Sequence, residues 1–253
     1  MPEPLEGAVR SALSVVIPVR NESPNVRPLF DEICAALNGV VDYEVLFVDD
    51  GSSDDTAHQL LELSKSFPQL RVVRHARSCG QSTAVRSGVR AAKNPWIATL
   101  DGDGQNDPAD IPKLLEVLRT RSTEAPQIVC GYRRKRRDTW LKRISSKVAN
   151  GVRSRFLSDS TPDTGCGLKV FQRGMFLALP YFDHMHRFLP ALVQREGGKV
   201  VSVEVNHRPR TRGTSNYGMF DRLWVGIVDM FGVMWLIRRS HRPQILDVEK
   251  QYE

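Results

Sequence analysis

Three times along this chain a run of small or branched apolar residues stops at a polar turn, and this repeated stop constrains the fold more than any other feature. Leu13-Ser14-Val15-Val16-Ile17-Pro18-Val19 ends at Arg20-Asn21-Glu22, before a helix-like stretch from Val26 to Leu37. Tyr43-Glu44-Val45-Leu46-Phe47-Val48 ends at Asp49-Asp50-Gly51-Ser52-Ser53-Asp54, before a helix-like Thr56 to Ser66. Trp96-Ile97-Ala98-Thr99-Leu100 ends at Asp101-Gly102-Asp103-Gly104-Gln105-Asn106-Asp107-Pro108. Short apolar runs alternating with helical segments predict an α/β domain with a mainly parallel sheet. In such open sheets ligands lie beyond the carboxyl ends of the strands, so the polar turns point toward one crevice.

The third turn carries the most chemistry. Extended backbone sends alternate residues to one side, so Asp101, Asp103 and Gln105 are predicted to converge. The intervening glycines allow a ligand close to the backbone. Mg2+ takes one or two protein carboxylates and fills its shell with water and phosphate oxygens, so this sparse oxygen set suits Mg2+ or Mn2+ carrying a diphosphate. The plainer alternative is an Asp/Gly-rich turn that only ends a strand. In the second turn, Asp49 or Asp50 suits a nucleotide's base or ribose, and Asp54 or Asp55 suits the cap of the next helix.

Composition fits a globular enzyme. The chain has 253 residues, 41% hydrophobic and 26% charged, enough to bury one sizeable core. Cys34, Cys79, Cys130 and Cys166 are far apart with no C-x-x-C pair, which argues against a zinc site or disulfide frame. Residues Met1 to Glu6 have neither the basic nor the apolar region of a signal peptide.

The net charge of +7 is concentrated. From Arg133 to Arg155, basic residues including Arg134, Lys135, Arg136, Arg137, Lys142, Arg143 and Lys147 meet a single acid, Asp138. Such a cluster attracts phosphate, whether of nucleic acid, anionic lipid or a phosphorylated substrate, unless it is only a solvated loop. No segment resembles a nucleic-acid module, and aromatics for base stacking are scarce in it, so no nucleic-acid partner is expected.

The motifs together resemble family 2 glycosyltransferases of the GT-A fold. The strand–Pro–polar turn–Glu opening, Asp49-Asp50-Gly51-Ser52 and Asp101-Gly102-Asp103 match that family's pattern. Gly131-Tyr132-Arg133, Lys142 to Asn150, Asp163 to Lys169, Arg187 to Leu192 and His207 to Tyr217 resemble its dolichol-phosphate mannosyltransferase and polyprenyl-phosphate glycosyltransferase branch. The resemblance implies inverting transfer of a sugar from a GDP- or UDP-linked donor to a polyprenyl phosphate, at the cytoplasmic face of a membrane. It implies that Pro18, Arg20, Glu22, Asp50, Gly80 and Asp101 bind the nucleotide sugar, and that Asp101, Asp103 and Gln105 hold the metal. It further implies acceptor-phosphate contacts from Arg133, Ser146 and either Lys142 or Arg143, with Arg210, Arg212 and Ser215 near the sugar donor's phosphates. Asp101, Asp103, Arg133 and Arg212 then form the catalytic set. A lipid phosphate is already an oxyanion near neutral pH, so no protein base is required. Two other readings stay open: a soluble or glycan acceptor, and a noncatalytic nucleotide-binding module.

Residues 12–217 are expected to form the GT-A domain, between tails at 1–11 and 243–253, with a membrane-associated helical region at 218–242. Leu223 to Ile237 is shorter than the ~20 residues a span needs, carries Asp229 mid-run and ends in Arg238-Arg239-Ser240-His241-Arg242. An interfacial helix fits that order of residues, and a core helix or an oligomer contact fits nearly as well. Any membrane-spanning partner is expected on a separate polypeptide. His184 and His186 are expected to be loop residues rather than metal ligands, and Trp96 and Trp140 packing residues.

Overall fold

The computed structural model of the protein describes residues 12–119, 128–133, 157, 161–209 and 219–241. Seven strands form one sheet: β1 (Leu13–Val19), β2 (Tyr43–Asp49), β3 (Leu70–Arg74), β4 (Trp96–Thr99), β5 (Ile128–Tyr132), β6 (Lys169–Gln172) and β7 (Val200–Glu204), in the order β3-β2-β1-β4-β6-β5-β7. β1 pairs in parallel with β2 and β4, and β2 with β3. β6 runs antiparallel to both β4 and β5, so β5 and its parallel neighbour β7 point the same way as β1 to β4.

Helices α1 (Ser23–Leu37), α2 (Thr56–Ser66), α3 (Gln81–Ala91), α4 (Ile111–Arg119), α5 (Arg173–Ala178), α6 (Leu189–Arg195) and α7 (Met219–Arg238) cover the sheet. Alternation along β1 sorts the layers. Leu13, Val15, Ile17 and Val19 pack with Val26, Phe30 and Ile33 of α1, Leu60 of α2 and Leu114 of α4. Val16 turns the other way and joins Ala84, Val85 and Val89 of α3, Leu192 of α6 and Val233 of α7. Strands covered on both faces read as continuous apolar runs, which is why β1 and β2 were visible in the sequence.

Element positions follow the expectation with shifts of a few residues. α2 spans Thr56–Ser66 as expected, whereas α1 begins at Ser23, because Pro24 is favourable in a first turn. Asp55 occupies the N-cap position of α2 without a side-chain cap bond, and Asp54 accepts instead from the Thr56 N–H at 3.0 Å.

Strand order reverses between β1 and β4, the switch point where open α/β sheets bind ligands. The carboxyl ends of β1, β2, β4 and β5 and the amino end of β6 share that edge. The first two turns are braced to each other there: Asn21 N–H donates to Ser52 Oγ, Ser53 N–H to Asn21 Oδ1, and Glu22 N–H to Thr56 Oγ1. α7 packs Val233 into the core, with Met230, Met234 and Ile237 against it. Val228, Phe231 and Trp235 on the same helix are more than half exposed. Among the described residues, no helix is long and apolar enough to cross a membrane.

Candidate active site

β4 delivers Asp101 to the switch point, and three local features fix it there. Asn106, itself buried, accepts the Asp101 N–H through Oδ1 at 3.0 Å, which closes the Asp101–Asn106 turn. Gly102 lies so near the end of β1 that a Cβ would come 2.6 Å from Val19 Cγ1 and 2.9 Å from Pro18 O. Gly167 lies against the Asp101 carboxylate, so a side chain there would fill the space directly in front of it. Asp103 Oδ1 accepts the Gln105 N–H at 3.1 Å, and Gln105 Nε2 reaches Arg208 O at 3.5 Å.

Charge at Asp101 is poorly compensated. Burial, reinforced by the neighbouring Asp103, pushes its carboxyl up to about 6, against the pull of Lys169, Arg133 and a 2.9 Å hydrogen bond from Gln81 Nε2. A carboxylate whose charge is disfavoured beside a second acid, with a glycine leaving room in front of it, fits a hard divalent cation bound by oxygen.

Asp50 lies beyond β2 and turns inward. His75 Nδ1 and the Cys79 N–H donate to its Oδ1 at 2.7 and 2.8 Å, while Ser78 Oγ and the Gly80 N–H donate to Oδ2 at 2.7 and 2.9 Å. Burial works against the charged form, yet these four bonds outweigh it and hold the carboxyl below its ordinary value. Asp50, His75 and Cys79 put three ligand-type atoms within 4.8 Å of one another, but the carboxylate's acceptor sites are already filled by this loop. Asp49 is fully buried; its Oδ1 accepts the Ser52 N–H at 2.9 Å, and Arg74 Nε lies 3.1 Å from Oδ2 without hydrogen-bond alignment.

Gly80, at φ 88, is the N-cap of α3. Its positive φ suits glycine and lets the chain turn from the Asp50 loop straight into the helix. Gln81, the first residue of α3, then reaches Asp101. The Asp50 loop and the Asp101 turn are thus joined through one helical turn.

Arg133 emerges from β5 on the other side of Asp101. It forks onto Asp163, with Nε 2.6 Å from Oδ2 and Nη2 3.0 Å from Oδ1, and both side chains are nearly buried. Burial opposes the guanidinium's charge, and Asp163 more than restores it. Lys169, buried at the start of β6, donates to Cys166 O and to Thr164 O, which folds the 163–169 loop around Asp101. A strap from β7 crosses the same turn: Arg208 N–H donates to Gln105 O at 3.0 Å, and its guanidinium meets Glu32 at 2.6 Å and Asp107 at 2.7 Å.

Of the sequence-predicted site residues, Pro18, Arg20, Glu22, Asp50, Gly80, Asp101, Asp103, Gln105 and Arg133 all lie at this edge. Arg20 is exposed, and Glu22 accepts from Asn25 Nδ2 at 2.6 Å. Lys142, Arg143, Ser146, Arg210, Arg212, Ser215 and Trp140 lie outside the described residues. His184 and His186 diverge: His186 Nδ1 meets Ser82 Oγ at 2.7 Å, and His184 Nδ1 lies 3.1 Å from Asp229 Oδ2. Sequence reading gave no role to Gln81, Asn106, Asp163, Gly167 or Lys169. Asp163, Gly167 and Lys169 stood inside a quoted motif, where a Gly-rich loop closed by charges was a usable signal.

The chain is similar to several known proteins. A dodecaprenyl-phosphate galacturonate synthase of Rhizobium johnstonii is 34% identical over 250 residues, 95% of this chain and 73% of the relative. An undecaprenyl-phosphate 4-deoxy-4-formamido-L-arabinose transferase of Edwardsiella ictaluri is 33% identical over 82% of this chain and 63% of that protein. Among solved structures, glucosyl-3-phosphoglycerate synthase from Mycobacterium tuberculosis, in complex with Mn2+, UDP and phosphoglyceric acid, superposes with a TM-score of 0.69. It is 20% identical and covers 96% of this chain and 85% of its own, so it shows the GT-A-like fold. Residues 14–179 match glycosyl transferase family 2, and the chain belongs to that family.

Proposed function

We propose that the protein transfers a sugar, with inversion, from a nucleoside diphosphate to a polyprenyl phosphate. The observation that carries this reading is the partly buried, under-compensated Asp101 beside Asp103 at the switch point. Such a site accepts a diphosphate only together with a cation. The names of both relatives specify a polyprenyl phosphate, which supports the lipid acceptor.

Asp101 and Asp103 would hold Mg2+ or Mn2+, with Gln105 at hand in the same turn. The ion supplies charge neutralisation to the departing nucleoside diphosphate. The chain's own residues do the positioning. Asp50 shapes the Ser78–Gly80 loop that faces the nucleotide sugar, and Gln81 ties that loop to Asp101. Arg133, fixed by Asp163, keeps a cation in place for an acceptor phosphate without needing to order a free side chain. A phosphate monoester is already an oxyanion at neutral pH, so its attack on the anomeric carbon needs alignment rather than a general base.

The exposed stripe of Val228, Phe231 and Trp235, followed by exposed Arg238 and Arg239, supports a second part of the reading: α7 rests on an anionic bilayer while its other face holds the domain. The protein then works as a peripheral enzyme at a membrane's cytoplasmic face. The decisive assay incubates the protein with Mn2+ or Mg2+, a panel of UDP- and GDP-sugars, and a polyprenyl phosphate. A lipid-phosphate sugar is the expected product. Turnover only with soluble or glycan acceptors would reject the acceptor, and binding without turnover would reject the enzyme.

A further inference from the structure

α7 carries a charged residue, Asp229, at its contact with the domain. Asp229 sits one residue before Met230, on a helix whose described contacts to the domain include the apolar packing of Met230, Val233, Met234 and Ile237 and Arg195 Nε donating to Leu236 O at 3.1 Å. Its Oδ2 is shut off from solvent, and His184 Nδ1 stands 3.1 Å away at an angle poor for a hydrogen bond. Burial raises the Asp229 carboxyl above its ordinary value, and His184 and Arg187 offset this only in part. A half-buried carboxylate whose charge is disfavoured adds little to stability at neutral pH, and its contact with His184 ties α7 to the Tyr181–His186 segment.

His184 is unusual in its own right. It holds φ 62, ψ 7, the left-handed region that a side chain makes unfavourable, and there it introduces the short helical turn Met185–Arg187. The segment around it grips the first turn of α3 at several points. Asp183 Oδ1 accepts the His184 N–H at 2.8 Å and faces Gly80, where a Cβ would come within 3.3 Å of it. His186 meets Ser82 Oγ through both Nδ1 and its N–H. Tyr181 Oη lies 2.6 Å from Thr83 Oγ1, and Arg86 stacks over the Tyr181 ring at 4.1 Å. That same turn of α3 begins at Gly80, bound to Asp50, and continues to Gln81, bound to Asp101.

We propose that Asp229 and His184 are positioning residues that link the lodging of α7 on a bilayer to the shape of the nucleotide site. The path runs from α7 through His184 and the Tyr181–His186 segment to the first turn of α3, and each step is a contact described above. Docking that presses α7 against the domain holds His184 in its left-handed conformation and sets Gly80 and Gln81. The enzyme then binds its nucleotide sugar best where its lipid acceptor is. The inference rests on the membrane reading of α7 and on the nucleotide reading of the Asp50–Asp101 edge.

The test measures the Kd of UDP and of GDP, each with Mn2+, by calorimetry on the full chain, with and without phosphatidylglycerol/phosphatidylcholine vesicles. Wild-type protein is expected to bind its preferred nucleotide about five- to tenfold more tightly on vesicles, the range of ordinary allosteric couplings. Asp229→Asn should still sediment with vesicles and melt no lower than wild type, yet keep the vesicle-free affinity under both conditions. His184→Gly should behave likewise, because glycine accepts the positive φ and only the imidazole is lost. His184→Asn, which tolerates that conformation and keeps an N–H donor, should restore part of the effect. A merely structural role would move the melting temperature and leave the vesicle-dependent difference intact. The link is overturned alone if wild type sediments without any change in affinity, or if both variants retain the full tightening. Wild type that fails to sediment overturns the docking reading and the link with it, and wild type that sediments but binds neither nucleotide overturns the nucleotide reading as well.

Discussion

Replacing Asp50 by Asn tests how the Ser78–Gly80 loop is held. The carboxylate accepts four hydrogen bonds, two on each oxygen, and each oxygen receives one of them from a backbone N–H. An asparagine must place its NH2 against one of those N–H groups. Facing Ser78 is the better choice, because a hydroxyl can rotate to accept, but the Gly80 N–H is then left without an acceptor. The Gly80 bond is lost and the Ser78 bond loses its charge assistance, each worth at most about 1.5–3 kcal/mol, for an upper total of roughly 3–6 kcal/mol. For a chain of this size that lowers the melting temperature by roughly 10 °C. Ser78→Ala removes one bond, leaves no buried N–H unpaired and should cost about half as much. Because the folded-state pKa of Asp50 is depressed, its contribution is complete above the unfolded carboxyl value of about 3.9 and fades as pH falls through the folded value. Thermal melts between pH 7 and pH 3 should therefore show wild type and Asp50→Asn converging only at the acid end. A melting temperature within about 2 °C of wild type at pH 7 would refute the claim that this carboxylate organises the loop.

Three other perturbations follow from contacts at the same edge and on α7. Gly102→Ala forces a methyl group into Val19 and the Pro18 carbonyl; stability should fall by about 1–3 kcal/mol, and displacement of Asp101 should cut turnover by roughly 10²-fold in a steady-state assay. Asp163→Ala strands the buried Arg133 and should cost ~3–5 kcal/mol in urea denaturation, whereas Asp163→Ala with Arg133→Met should recover most of it; equal losses in single and double variants would show that the pair is not coupled. Phe231→Ser with Trp235→Ser should weaken co-sedimentation with anionic vesicles by at least tenfold without lowering the melting temperature, since both side chains already face solvent.

The parts of the fold legible in the sequence were those with one strong local cause. β1, β2 and β4 lie between two helical layers, so their apolar runs were unbroken, and their carboxyl ends were marked by acids and glycines. The antiparallel β6 was not legible, because Lys169 to Gln172 is short and opens with a buried lysine whose partners, the carbonyls of Thr164 and Cys166, lie in the loop before it. Alternation predicted that Asp101 and Asp103 lie close together, and Asp103 does act on the Asp101 carboxyl. Asp163 could not be assigned to Arg133, since the pairing joins residues 30 apart through the antiparallel placement of β6. Asp50 illustrates a further limit: acidity beyond a strand end announced a site, but only the fold shows the carboxylate turned toward His75, Ser78, Cys79 and Gly80. For α7, the sequence left core and interfacial readings side by side; the helix buries Val233 against the domain and exposes Trp235 two residues later.

Charge balance around Asp101 leads to a last expectation, on divalent ions. Among the described residues near it, Asp101, Asp103 and Asp163 carry three negative charges against the two positive charges of Arg133 and Lys169, and Arg133 is already committed to Asp163. A nucleoside diphosphate entering this edge without a cation meets net repulsion. At an effective dielectric near 20, one uncompensated unit charge at about 4 Å is worth roughly 4 kcal/mol before screening, so a loss of about ten- to a hundredfold in affinity is a conservative expectation after it. Calorimetric titration of UDP and GDP with Mn2+, and again with excess EDTA at matched ionic strength, measures the effect directly. Asp103→Ala should abolish most of the Mn2+ dependence, because it removes both a ligand and part of the repulsion, leaving weak binding that EDTA barely changes. Nucleotide affinity that is indifferent to EDTA in the wild type would mean that the described charges do not control entry, and that the acidic turn has some other use.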